Sequence, residues 1–341
     1  MSVRACILGC AGPTLSAEEA AFFRDVKPWG FILFARNVET PDQVRRLTAA
    51  LRETVGRPDA PILVDQEGGR VQRLKAPHWR AYPPGRAYGR LAGNDPILKR
   101  EITRLGARLI AHDLAALGIN VDCVPVLDVP DPSGHEIIGD RAYGQTPDEV
   151  ASLGRAAAEG LIAGGVLPVI KHIPGHGRAM ADSHLELPVV QASYDELDGR
   201  DFAPFRALSD MPMAMSAHVI YAAIDPKRPG TTSRKVMRRA IRGAIGFDGL
   251  VMTDDLSMKA LSGDFTDRAR DALSAGCDMV LHCNGEMTEM KAVVAGTGAL
   301  KGRAARRAAA ALARIPRAVE PLDVAEAVAR FEAAFEGRSA A

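Results

Sequence analysis

Cysteine is scarce in this chain: five residues in 341, at positions 6, 10, 123, 277 and 283, an odd number with no CxxC pair. That excludes a disulfide scaffold and reads as reduced thiols packed among apolar neighbours. An excess of charge of one sign is also missing, with 43 basic against 42 acidic side chains and a formal net charge of +1. Nonspecific binding to nucleic acid or an anionic membrane needs an electrostatic footprint that this balance does not supply, so a small or neutral partner is expected. No apolar run reaches the roughly 18 residues of a membrane span, and the first apolar stretch meets Gly12 and Pro13 too soon for a secretory leader, so a cytoplasmic location is expected. Neither GxGxxG nor a GxxxxGKS or GxxxxGKT run follows any apolar segment, which removes the usual sign of a nucleotide site.

What is present is ordinary globular composition, 47% hydrophobic and 25% charged, in a chain long enough for a large core. Eight short apolar runs punctuate it: 5–8, 30–34, 61–64, 120–126, 167–170, 213–216, 250–253 and 278–282. They are continuous rather than alternating, as in parallel strands covered on both faces. Helical stretches with start signals lie between them. Thr40 with Gln43, Thr146 with Glu149, Ser16 with Glu19 and Ser193 with Glu196 have capping-box spacing, the first two with Pro at the first helical position. Eight alternations predict an α/β fold of the (β/α)8 TIM-like barrel type, one domain over residues 1–341, with helices at about 300–336 closing the barrel; a doubly wound sheet is the alternative.

Catalytic groups of such barrels sit at the C-terminal ends of the strands, and those ends are polar here: Arg36-Asn37, Asp65-Gln66-Glu67, Asp128, Lys171-His172, Ser216-Ala217-His218, Asp254-Asp255 and Cys283-Asn284. A mouth ringed by carboxylates, cations and amides suits a hydroxyl-rich ligand. Gly68 and Gly69 allow a sharp turn that would let Asp65 and Arg73 face one pocket. His172, His176 and His184 with Asp182 form the densest reactive cluster. It reads either as a metal site or as an acid/base pair, the Asp182-x-His184 spacing letting a carboxylate fix an imidazole; no HExxH is present. Of Asp254 and Asp255 only one can face the pocket squarely, the other being a cap.

In order, the segments GFILFARN, VDQEGGRVQR, GDRAYG, KHIPGHG with DSH, MSAHVIY and VMTDDLSM resemble family 3 glycoside hydrolases, in particular the single-domain bacterial β-N-acetylglucosaminidases of peptidoglycan recycling, from about Gly9 to Asn284. The resemblance implies a retaining mechanism without metal or cofactor, with Asp254 as nucleophile, His184 as general acid/base, Asp182 as its partner, and Asp65, Arg73, Arg141, Lys171 and His172 binding sugar. The substrate it implies is a muropeptide, N-acetylglucosamine linked to a 1,6-anhydro-N-acetylmuramoyl end; a monomer is expected. The residue after GHG, often acidic in the family, is Arg178. Other readings are a phosphorylase of the same family, a metal-dependent hydrolase built on the three histidines, and a sugar-binding barrel without catalysis.

Overall fold

The computed structural model describes residues 2–91, 95–132, 134, 136–179 and 187–336. All eight expected strands form: β1 (Arg4–Leu8), β2 (Pro28–Leu33), β3 (Ile62–Val64), β4 (Val121–Asp122), β5 (Leu167–Ile173), β6 (Met213–Ser216), β7 (Leu250–Asp255) and β8 (Met279–His282). Each pairs in parallel with the next in sequence, and β1 pairs with both β2 and β8, so the sheet closes into a barrel. The 120–126 run gives a regular strand of only two residues, although the Cys123 N–H still donates to Val64, the Val124 and Pro125 carbonyls accept from Val169 and Lys171, and Val126 bridges to Lys171.

Helices α1 (Ala17–Val26), α2 (Pro41–Val55), α3 (Pro96–Ala115) and α4 (Pro147–Ala163) follow the first four strands. The next two connections carry short helical pieces, among them the π-helical turns Leu197–Asp201 and Met237–Ala244, before α5 (Phe265–Ala275) and α6 (Met287–Gly296) resume the alternation. Ser16 and Ser193 form reciprocal capping boxes with Glu19 and Glu196. Thr40 and Thr146 cap through their hydroxyls, but the return bond differs from the expected box: Gln43 and Glu149 accept instead from the N–H groups of Glu39 and Gln145, one residue upstream of each cap.

Strand side chains alternate between two apolar layers. One cluster collects Ile7, Ile32, Leu63, Val169, Met213, Met252 and Leu281 inside the barrel, while Leu8, Phe31, Val64, Ile170, Ala214 and Val251 face outward under the helices. Two further helices, α7 (Gly302–Leu312) and α8 (Val324–Ala333), follow α6. Ala308 and Ala311 of α7 join the inner cluster, and Leu300 just before it bonds back to Val3 at the N-terminal end of β1. The basic face of α7 thus accompanies a buried alanine stripe. All five cysteines are buried and free. Among the described residues no helix is long and apolar enough to cross a membrane.

Candidate active site

The alternation that fills the barrel also arms its mouth. Two residues past the inward Leu63, Val169 and Met252 stand Asp65, Lys171 and Asp254, so the inner row runs from apolar to charged at the C-terminal strand ends. Beyond Asp65 the chain forms a small antiparallel hairpin, Gln66–Gly68 with Val71–Gln72. Its turn uses Gly68 and Gly69 at φ 93 and 56, and a Cβ on Gly68 would come within 2.3 Å of the Pro83 carbonyl. The hairpin returns Arg73 to Asp65, where its guanidinium donates at 3.0 Å.

A chain of alternating charges results. Lys171 Nζ donates to Asp65 at 2.9 Å and sits 2.6 Å from Glu67. Arg141 forks both Glu67 oxygens at 2.8 Å, the bidentate geometry in which Arg binds carboxylates best. Burial alone would raise both acids, but Lys171 and Arg73 hold the Asp65 carboxyl well below the ordinary carboxylate range, and Arg141 with Lys171 takes Glu67 down to about 2. Burial acts against the Lys171 charge as well, yet Asp65 and Glu67 outweigh it and raise its ammonium above the ordinary value. The array is therefore fully ionised at neutral pH. Its acceptors and donors can serve vicinal hydroxyls without any group changing protonation.

Asp254 and His172 each sit where the ladder slips by a residue: Lys171 to Ile173 spans two residues against one on β6, and Met252 to Asp255 spans three against two on β8. Such bulges re-aim a side chain and recur beside active sites. Asp128, fully buried after β4, accepts from His172 Nδ1 at 2.6 Å and from the His172 and His176 backbone N–H groups at 3.2 and 2.7 Å. With Nδ1 so engaged, His172 turns Nε2 toward Asp254 Oδ2, 4.0 Å away. His218 approaches from β6, its Nε2 donating to the Asp255 carbonyl at 3.0 Å and its Nδ1 meeting the Thr231 hydroxyl at 2.7 Å. Burial raises the Asp254 carboxyl, but the His172 and His218 imidazoles, the Asp255 N–H and Lys171 together hold it below its ordinary value. Asp255 is a cap, accepting from the N–H groups of Ser257 and Cys283 at 3.1 Å each.

The charged array, His172, His176 and Asp254 line one cavity of about 330 Å³, walled by Phe34, Ile138, Met215 and Leu281, with Asp128 and His218 behind that lining. Asp65, Arg73, Arg141, Lys171, His172 and Asp254, all expected from the sequence, meet there; Asp182 and His184 lie outside the described residues. Sequence reading places Glu67, Asp128 and His218 among the polar strand ends but gives them no role: Glu67 is the second partner of Lys171, Asp128 the anchor of His172, and His218 the imidazole beside Asp255. Strand parity marks Glu67, which stands two positions beyond Asp65. With His172 Nδ1 taken by Asp128, no group of three or more His, Cys, Asp or Glu side chains among the described residues is arranged to hold a metal ion. Arg178, where the resemblance more often implies an acid, donates to Asp201 at 2.8 Å and lies 3.3 Å from Asp131.

His176 gives a pH signature. Burial and then the facing His172 lower its imidazole from 6.5 to about 4, against the opposing pull of Asp128 and Asp254. The unfolded chain takes up this proton near pH 6.5 and the folded chain only near 4, so the contribution is complete above 6.5 and lost as pH falls through that window. His176→Gln should reduce the stability difference between pH 7 and pH 5 by about 2 kcal/mol, read by urea denaturation at each pH.

Comparison with known proteins agrees with this geometry. Residues 7–318 match the glycosyl hydrolase family 3 N terminal domain. The chain belongs to glycosyl hydrolase family 3. A beta-hexosaminidase of Methylococcus capsulatus is 43% identical over 277 residues, 80% of each protein. Among solved structures, native NagZ from Neisseria gonorrhoeae superposes with a TM-score of 0.84 at 32% identity, covering 98% of this chain and 96% of that one. A family 3 beta-N-acetylglucosaminidase from Paenibacillus sp. gives 0.84 at 32%, covering 97% of this chain and 66% of that longer one. The family 3 chain is thus a glycoside hydrolase on a (β/α)8 barrel, and its substrate is a sugar.

Proposed function

We propose that this enzyme is a retaining β-N-acetylhexosaminidase that removes terminal, non-reducing β-linked N-acetylglucosamine from peptidoglycan fragments ending in 1,6-anhydro-N-acetylmuramic acid. The observation that carries the reading is the Asp254 carboxylate lining one cavity with the Asp65–Lys171–Glu67–Arg141 chain of ion pairs. Asp65, Arg73, Arg141, Lys171 and His172 hold the sugar hydroxyls and acetamide. Asp254 attacks the anomeric carbon and forms a glycosyl ester while His184, oriented by Asp182, protonates the departing oxygen; His184 then draws a proton from water as it displaces Asp254. The same reading takes the chain as a cytoplasmic monomer and residues 1–341 as one catalytic unit. Supporting the last point, Ala308 and Ala311 of α7 pack into the same apolar cluster as the inward strand residues.

Release of 4-nitrophenol from its β-N-acetylglucosaminide should greatly exceed release from the β-glucoside; equal rates would contradict the acetamido specificity. Chelation should leave the rate unchanged, and added inorganic phosphate should yield free N-acetylglucosamine rather than its 1-phosphate, separating hydrolysis from phosphorolysis. An activated phenolate leaves without a proton, whereas a sugar alkoxide needs one. His184→Ala should therefore slow glycosylation by the nitrophenyl substrate far less than by a disaccharide, and equal losses would assign the acid to another group.

A further inference from the structure

Two stretches of the chain contain no acidic residue, 226–247 and 290–319, and each carries seven lysines and arginines. The chain as a whole is balanced, so these segments are locally and strongly cationic. The fold brings them together. The first forms Arg234–Val236 and the π-helical turn Met237–Ala244, the second supplies α7, and beside them lie two adjoining cavities of about 470 and 580 Å³. Pro212, Gly249 and Asp278, the residues just before β6, β7 and β8, help to line these cavities. They therefore open at the N-terminal end of the barrel, opposite Asp254, and each has the size of a small-ligand site.

Seven arginines, three aspartates and no lysine line the pair of cavities. The aspartates are already taken. Asp278 accepts from Arg242 at 2.7 Å and from Arg307 at 3.1 Å, Asp248 from Arg307 at 2.5 Å, and Asp210 from Arg155, outside the cavities, at 2.6 Å. Arg234, Arg238, Arg303, Arg306 and Arg314, all exposed, make no ion pair among the described residues. Arg234 and Arg314 donate to backbone carbonyls, those of Ser274 and Asp210, at 2.9 Å each. The excess of positive charge is felt by Asp248, whose exposed carboxyl is held below its ordinary value by Arg307 foremost, with Arg242 and Arg303 behind it. Guanidiniums gathered around one hollow repel one another, and an anion entering it replaces that repulsion with attraction.

Asp248 limits the shape of the anion. With Gly246, Arg303 and Arg307 it forms the border common to both cavities, so an occupant places negative charge on each side of this carboxylate. Arginine forks suit phosphoryl oxygens. The one aromatic side chain in the lining, Phe247, is buried beneath Arg242, whose guanidinium lies 5.8 Å from the ring centroid. No platform is left on which a base could stack.

We propose that this groove binds an oligophosphate, a linear chain of phosphoryl groups recognised through its charge and not through any base attached to it. Arg303 serves both cavities, with Arg306 and Arg314 on one side and Arg234 and Arg238 on the other.

Calorimetric titration of the full chain at low ionic strength, without divalent cations, tests it with inorganic tripolyphosphate as the probe and orthophosphate, citrate and ATP beside it. Tripolyphosphate should bind about tenfold or more tightly than orthophosphate or citrate, and ATP should match it to within about threefold. Arg238→Ala, Arg303→Ala and Arg306→Ala should each raise the Kd for tripolyphosphate about tenfold, the worth of one charge-assisted hydrogen bond. Arg228→Ala, in the same acid-free stretch but facing Asp271 outside the cavities, should leave the Kd unchanged. All four variants should melt within a few degrees of wild type without ligand, so that lost binding is not lost fold. No binding of tripolyphosphate, an equal loss in Arg228→Ala, or citrate bound as tightly as tripolyphosphate would overturn the proposal. ATP or an oligonucleotide bound more than about tenfold tighter than tripolyphosphate would overturn it as well, because a base would then be recognised.

Discussion

Asp254→Asn and Asp254→Ala should each lower kcat on the order of 10³-fold or more, because neither replacement can form the glycosyl ester. Asn keeps the shape and the acceptor facing the Asp255 N–H, so folding and sugar binding should survive, and KM should change far less than kcat. Asp255→Ala should cost chemistry much less, since that carboxylate spends its oxygens on Ser257 and Cys283. Steady-state kinetics of the purified variants decide between the two; a larger loss at Asp255 would move the nucleophile there.

Lys171→Met should be the most damaging change to the fold. Lys171 is 2% exposed and lies between Asp65 and Glu67. Methionine fills similar volume but leaves two buried carboxylates facing each other with one cation fewer. Removing one partner of a buried ion pair costs about 3–5 kcal/mol, and a loss of that size in urea denaturation is expected, with sugar binding lost alongside. The linkage has a definite sign. Because the folded Glu67 carboxyl lies at about 2 rather than 4.5, and Asp65 is depressed in the same direction, their stabilisation is present above the ordinary carboxylate range and disappears as pH falls through the window below it. In Lys171→Met the acid side of the stability profile should flatten. A change of less than about 1 kcal/mol at pH 7 would mean that the array is not the electrostatic unit described.

Much of this site is legible in the sequence because a strand repeats every two residues. Leu63 and Asp65, Val169 and Lys171, Met252 and Asp254 are each two apart, so once the apolar residue is inward the charged one must point into the mouth. The barrel itself follows from eight runs of the right length. Other features depend on neighbours that the sequence does not place side by side. Asp128 anchors His172 because β4 lies against β5, 44 residues away along the chain, and His218 matters through Thr231 and the Asp255 carbonyl. The bulges that aim His172 and Asp254 carry no local signal, since an extra residue is defined only against the register of the partner strand.

The most direct test of the central claim is the identity of the residue that carries the sugar. Incubation with a slow fluorinated N-acetylglucosaminide, acid quench, proteolysis and mass spectrometry should find one hexosaminyl adduct, on a peptide containing Asp254 and located to that residue by fragmentation. An adduct on Asp65, Glu67 or Asp255, or turnover of the same reagent with inversion and no adduct at all, would contradict it.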